Sequence, residues 1–307
     1  MKRDFTRLLD ITVEECSFLL DRALFFKKVR AANGEYKPLK DRTLAMIFEK
    51  ASTRTRVSFE VGMRGLGGHA IFLSPSETQM GRGEPIRDTA RVLSRYVNAI
   101  MIRTFSQGTV EELAAWSSVP VINGLTDLYH PCQILADLFT VREYKKRLDG
   151  LRMAYVGDGN NMANSWIEAA LLLGFTLAMA TPQQYPPHPD LVKKGRERGV
   201  LTLLADPLDA AHGADVISTD VWVSMGMEKE QAERKAAFAG FCVDDRLLKA
   251  AKEDVIVMHC LPAHRGQEIA EDVFERFQEV IFTQAENRLY AQQALLEWLI
   301  LEGMDGR

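Results

Sequence analysis

Much that would assign this chain to a class at a glance is missing. Its four cysteines, Cys16, Cys132, Cys242 and Cys260, are scattered with no Cys-x-x-Cys pair. That spacing supplies neither a disulfide framework nor a zinc site, and it suits a reducing compartment. No apolar run reaches the roughly 20 residues needed to span a bilayer. The opening Met1-Lys2-Arg3-Asp4-Phe5 lacks the apolar stretch of a secretion signal. A cytoplasmic protein with no membrane partner is the expectation. Lys and Arg nowhere form a block, the net charge is −4 and the pI is about 5.9. Nucleic-acid binding, which needs a basic stripe, is not expected. Internal repeats, low-complexity tracts, a Walker loop and a Gly-x-Ser-x-Gly elbow are also lacking. His259 and His264 lie five apart, too far round a helix to share a face, so no metal site is expected.

What is present is an ordinary globular composition, 47% hydrophobic and 26% charged, over 307 residues. That length suits two domains of roughly 150 residues each. Short apolar runs alternate with segments of helical periodicity from end to end, the pattern of parallel-sheet α/β domains flanked by helices. Strands are expected at 43–48, 69–73, 98–102 and 119–123, then at 151–156, 175–180, 200–204, 215–219, 255–258 and 280–282. A first helix is expected over 12–32, capped by Thr12, and a last one over 286–302. The crossing between domains is placed along the helix opened by His130-Pro131, giving one domain of residues 1–135 plus 286–307 and another of 136–285. The segment 229–238 is charged and reads as mostly exposed.

Open parallel sheets hold their ligands beyond the carboxyl ends of the strands. After the first strand stands Ser52-Thr53-Arg54-Thr55-Arg56, at the head of a helix. Helix-start N–H groups, hydroxyls and a guanidinium together make an anion site fitted to phosphate. Taken alone, the pentapeptide is equally a capped helix with solvated arginines. The polar loop from Ser74 to Pro85, with Gln79, is long enough to be functional or disordered. Arg103 ends the third strand. His130-Pro131-Cys132-Gln133 opens a helix, with His130 just outside it. This half is cationic and donor-rich, fitted to a phosphate joined to a polar carbonyl.

The second half places other chemistry at its strand ends. Gly157-Asp158-Gly159-Asn160-Asn161 begins like a dinucleotide fingerprint, but Met162 stands where the third glycine belongs. Asp220 follows a strand and leads to Ser224-Met225-Gly226. His259-Cys260-Leu261-Pro262 follows another. Asp220 suits an ammonium, while Asn161 and Ser224 suit a carboxylate, so this set fits an amino acid. A phosphate-bearing donor and an amine acceptor imply group transfer, with the active site expected in the cleft between the domains. A small apolar role for Cys260 stays open on its own residue type, and Trp222, His264 and Arg265 read as packing or loop residues.

Ser52-Thr53-Arg54-Thr55-Arg56 and His130-Pro131-Cys132-Gln133 resemble the carbamoyl-phosphate motifs of the aspartate/ornithine carbamoyltransferase family. Asp220 with Ser224-Met225-Gly226, and His259-Cys260-Leu261-Pro262, resemble its ornithine-using branch. The resemblance covers essentially the whole chain. It implies transfer of a carbamoyl group to the δ-amine of ornithine, giving citrulline and phosphate, in arginine biosynthesis or the reverse direction. It implies that Ser52, Thr53, Arg54, Thr55, Arg103, His130, Gln133 and Arg288 hold carbamoyl phosphate, with Cys260 and Leu261 also touching it and Gln79 reaching a neighbouring subunit's site. It assigns ornithine to Asn161, Asp220, Ser224 and Met225, and catalysis to Arg54, Arg103, His130 and Cys260. No cofactor is implied, because carbamoyl phosphate is already activated. A homotrimer or an assembly of trimers is implied. An aspartate or putrescine enzyme, a binding protein that keeps the fold, and a nicotinamide oxidoreductase are the rival readings.

Overall fold

A computed structural model describes residues 2–74, 83–223 and 231–305. The chain forms two compact units, Met1–Phe139 with Glu286–Arg307, and Thr140–Ala285. Gln79, Ser224 and Met225 lie outside the described residues.

In the first unit, α1 (Val13–Ala31) starts at a capping box. Thr12 accepts the N–H of Glu15 and its own N–H is met by the Glu15 carboxylate, satisfying donors the helix leaves open. Then β1 (Thr43–Phe48), α2 (Thr53–Gly65), β2 (His69–Leu73), α3 (Ile86–Leu93), β3 (Ala99–Arg103), α4 (Gln107–Trp116) and β4 (Val121–Leu125) alternate, and α5 (Pro131–Lys145) follows. All pairings are parallel, in the order β2-β1-β3-β4. Strands covered on both faces read as unbroken apolar runs. Ile100, Met101 and Ile102 of β3 are accordingly fully buried.

The second unit repeats the design with β5 (Arg152–Val156), α6 (Asn161–Leu173), β6 (Thr176–Ala180), α7 (Pro189–Glu197), β7 (Leu201–Leu204), α8 (Pro207–Ala211), β8 (Val216–Thr219), α9 (Gln231–Ala237), α10 (Asp245–Ala250), β9 (Ile256–His259) and α11 (Glu271–Arg276). Its parallel order is β7-β6-β5-β8-β9. Ala154, Val156, Ile217 and Val257 from the sheet pack with Phe238, Ile269 and Ile281 in one core. No helix among the described residues is long and apolar enough to cross a membrane.

One expected strand is wrong. Residues 280–282 belong to the helix α12 (Gln278–Asp305). Three apolar residues in a row fit either period. Burial decides: Val280, Ile281, Gln284, Asn287 and Arg288 are buried while Phe282 is half exposed, a helical recurrence. No Gly or Pro interrupts the run from 278 to 302, so nothing stops the helix. Smaller differences are shifts at ends, such as β3 starting at Ala99 and β4 starting at Val121.

The paired glycines after β5 have structural causes. Gly157 has φ 143°, a conformation that side chains disfavour. A Cβ on Gly159 would come within 2.2 Å of the Pro186 backbone and 2.5 Å of the Tyr185 carbonyl oxygen. That carbonyl accepts the Gly159 N–H at 3.0 Å. Gly159→Ala must push two backbones apart, and overpacking of this kind costs about 1–3 kcal/mol. A lower urea midpoint than the parent protein's is expected; an unchanged midpoint would show that the two loops separate freely.

Candidate active site

Where a parallel sheet reverses its winding direction, the loops from two adjacent strands diverge and leave a crevice at their carboxyl ends. In the first sheet that point lies between β1 and β3, and in the second between β5 and β8. The candidate residues sit there: Ser52 to Thr55 after β1, Arg103 at the end of β3, Gly157 to Asn160 after β5 and Asp220 after β8.

In the first unit Ser52 is the N-cap of α2, and its hydroxyl accepts the Thr55 N–H at 3.2 Å. Thr53 is exposed and Arg54 half-buried, so both are open to a ligand. Thr55 is fully buried, and its Oγ1 accepts from Arg288 at 2.9 Å. The other arm of Arg288 donates to Gln133 Oε1 at 3.1 Å, and Gln133 in turn donates to Asp137 at 2.8 Å. Gln133 therefore stands behind Arg288 and fixes its fork. Arg56 turns along the helix, pairing with Glu60 at 2.9 Å and lying 3.9 Å from the centre of the Phe72 ring.

His130 sits immediately before α5 and is buried. Burial first, then the charges of Arg288, Arg103 and Arg54, hold its imidazole well below the ordinary histidine range. Three cations thus surround a neutral ring that offers one donor and one acceptor. Such an arrangement suits a ligand carrying several negative charges and a carbonyl. Cys132 donates to the Asn123 carbonyl at 3.3 Å, and burial pushes its thiol up to about 12. It is a packing residue rather than a nucleophile.

In the second unit the centre is the buried carboxylate of Asp220. Oδ2 accepts from Asn160 Nδ2 at 2.7 Å, and Oδ1 accepts from the Val221 N–H at 2.8 Å and the Cys260 thiol at 3.0 Å. Cys260 is held by its neighbours. His259 Nδ1 accepts the Leu261 N–H at 2.8 Å, so its proton lies on Nε2 and points to Glu268 at 3.0 Å. Glu268 also accepts the His264 N–H, and Gln284 accepts the His259 N–H. Leu261 has φ 59°. Asn161 is the first residue of α6, half-buried beside Asn160.

Asp220, His259 and Cys260 each offer a donor atom, all within 4.8 Å of one another. Sequence spacing hid this group, because Asp220 is 40 residues from Cys260. Both imidazole nitrogens are engaged with Leu261 and Glu268, so a metal there would have to displace one of them.

Two residues beside Asp220 escaped the sequence reading. Asn160, which grips the carboxylate, was passed over for Asn161; its signal is its place as N-cap of α6, where it accepts from Met162 and Ala163 N–H groups. Arg234 lies in the segment expected to be mostly exposed, yet it is buried. It forms an ion pair with Asp158. Burial pushes the Asp158 carboxyl up to about 7, against the pull of Arg234 and with the help of Asp220. Phe238, one helical turn after Arg234 and fully buried, was the available signal.

Two parallel sheets with polar groups at their switch points, one set cationic and one built on an acid beside a thiol, define an α/β protein with chemistry suited to an anion and an amine. Comparison with known proteins is specific. The family model described as aspartate/ornithine carbamoyltransferase, carbamoyl-P binding domain, matches residues 3–143. That described as aspartate/ornithine carbamoyltransferase, Asp/Orn binding domain, matches residues 149–299. The chain belongs to the aspartate/ornithine carbamoyltransferase family. It is 56% identical over 301 residues to the ornithine carbamoyltransferase of Syntrophotalea carbinolica, covering 98% of this chain and 100% of that protein. It is 52% identical to that of Methanoculleus marisnigri, with 99% of each covered. Among solved structures, ornithine carbamoyltransferase from Pyrococcus furiosus superposes with a TM-score of 0.92 at 50% identity, covering 96% of each chain. The anabolic enzyme from Campylobacter jejuni gives 0.91 at 42% identity, covering 98% of this chain and 100% of that one.

The depressed His130 has a consequence for stability. The folded imidazole stays neutral where the unfolded one, near 6.5, takes a proton. Below that pH the unfolded state binds more protons, so stability falls as pH falls through the unfolded value. In urea titrations, His130→Gln should remove a loss of up to about 1.4 kcal/mol for each pH unit below 6.5. Identical pH slopes for the variant and the parent would show that His130 is protonated in the folded protein.

Proposed function

We propose that the chain transfers the carbamoyl group of carbamoyl phosphate to the δ-amine of L-ornithine, releasing L-citrulline and phosphate. The observation that carries the choice of acceptor is the sign of the second-unit site. Asp220, a buried acid held by Asn160 and Cys260, suits an ammonium; an aspartate acceptor would need cations there for its second carboxylate.

Residues 1–135 with 286–307 form the carbamoyl-phosphate domain, and 136–285 the ornithine domain. Ser52, Thr53, Arg54 and Thr55 hold the phosphate at the start of α2, where unpaired N–H groups and the helix dipole favour an anion. Arg103 and His130 address the carbonyl, and Arg288, set by Gln133, completes the cationic wall. Cys260 and Leu261 close on the same ligand. Asn161, Asp220, Ser224 and Met225 hold the α-amine and α-carboxylate of ornithine. Gln79 serves a neighbouring subunit's carbamoyl phosphate, and the working assembly is a homotrimer or a set of trimers in the cytoplasm.

The chemistry follows from these roles. A free δ-amine resembles that of Lys, with a pKa of about 10.4, and must lose a proton before it can attack. Nearby arginines and a dry surrounding favour the neutral amine, and Cys260 assists its deprotonation. The δ-nitrogen bonds to the carbamoyl carbon, negative charge builds on the carbonyl oxygen, and the bond from carbon to the phosphate oxygen breaks as the nitrogen's surplus proton leaves with the phosphate. Arg54, Arg103 and His130 stabilise the oxygen and the departing phosphate. Holding donor and acceptor together supplies the entropic part of the rate.

Incubation with carbamoyl phosphate and a panel of ornithine, aspartate and putrescine tests this directly. Citrulline is expected, with little product from the other amines, and Arg54→Ala should lower kcat about 100- to 1,000-fold. Binding of carbamoyl phosphate with no turnover on any amine would replace the enzyme with a binding protein.

A further inference from the structure

The guanidinium of Arg234 is buried on every side, and what it touches is informative. Its Nε donates to the Trp222 carbonyl, and Nη2 meets the Asp158 carboxylate. Its Cζ lies 4.1 Å from the Tyr185 ring centre and 5.3 Å from that of Phe238. Phe238 in turn stacks on both Tyr185 and Trp222. A guanidinium keeps its charge when buried and fixes direction through its fork, which is why it serves where a cation must also position.

The two segments it grips are the two that hold Asp220. Trp222 lies two residues after Asp220, with only Val221 between them, and Val221 N–H donates to the Asp220 carboxylate. Asp158 lies two residues before Asn160, whose amide donates to that carboxylate. The Tyr155 hydroxyl donates to the Asp158 carbonyl and approaches Asn160 Oδ1 at 3.3 Å, tying the Asp158 backbone to Asn160. Arg234 is thus joined to both sides of the Asp220 clamp.

We propose that Arg234, through its pairing with Asp158 and the Trp222 carbonyl, is a positioning residue that sets the Asp220 carboxylate for the amino-acid substrate. The substrate part rests on the assignment of ornithine to Asp220. Arg234 does no chemistry itself. It fixes the angle at which Asn160 and Val221 present Asp220, and with it the thiol of Cys260.

Two measurements on the full chain test this. Cys260 reports the setting of Asp220 with no substrate present, because its thiol donates to that carboxylate. Its alkylation rate with iodoacetamide, read by mass on the Cys260 peptide, should change at least threefold in Arg234→Gln and in Asp158→Asn. In the citrulline assay, both variants should raise KM for ornithine at least tenfold and leave KM for carbamoyl phosphate within twofold. Arg234→Lys should fall between them and the parent. An unchanged alkylation rate overturns the proposal, as does an equal rise in both KM values or a fall in kcat alone. If Arg234→Gln loses its circular dichroism, Asp158→Asn decides, since it leaves the guanidinium on the Trp222 carbonyl and the aromatic rings; loss of fold in both would make the pair merely structural. A parent protein that makes no citrulline removes the ornithine assignment, while the alkylation rates still decide the positioning.

Discussion

A parallel sheet returns every strand through a crossover, so all its carboxyl-end loops gather at one edge, and a reversal of winding parts two of them. The rest of this protein depends on that constraint. Both sheets reverse once, between β1 and β3 and between β5 and β8. Polar side chains that would be costly in the middle of an apolar strand are placed just past its end, where the ladder no longer claims the backbone. Arg103 shows the transition: it is the last residue of β3, and the register with β4 shifts between Ile102 and Arg103.

The two units solve the burial of charge in opposite ways. In the first, several cations converge, and repulsion is limited because His130 gives up its proton and Arg288 spends its donors on the neutral oxygens of Thr55 and Gln133. The wall stays hungry for negative charge, which is the condition for binding a phosphate strongly. In the second, the buried Asp220 carboxylate is satisfied by neutral donors, Asn160, Val221 N–H and Cys260. A carboxylate whose partners are neutral keeps its attraction for an incoming ammonium; one paired with an arginine would not. A buried cation of this unit, Arg234, is paired with Asp158.

The fold was largely legible because strands buried on both faces leave unmistakable apolar runs: β1, buried from Leu44 to Phe48, coincides with its expected bounds. Residues 280–282 failed because three apolar residues carry no period, and only the unbroken sequence beyond them makes them helical. In the candidate site, residues at strand ends could be named from sequence, since the α/β rule points to them. What could not be named were residues acting across long sequence separations: Arg288 on Thr55, 233 residues apart, was reached only through the family resemblance. Arg234 escapes the sequence because charge in such a segment usually means solvent, and nothing local announces that Asp158, 76 residues earlier, will meet it.

The Gly-Asp-Gly turn after β5 shows how a motif can mislead and still mark a site. A dinucleotide loop uses its glycines to bring backbone close to a pyrophosphate. Here Gly159 brings backbone close to other backbone, the 185–187 segment. The residue between the glycines is then free to carry a different group, and Asp158 takes the charge of Arg234 where a phosphate loop would repel acid. The same switch point and the same two glycines thus serve a site built on a buried acid. The side chain at the centre of the turn, and what the second glycine is packed against, decide which.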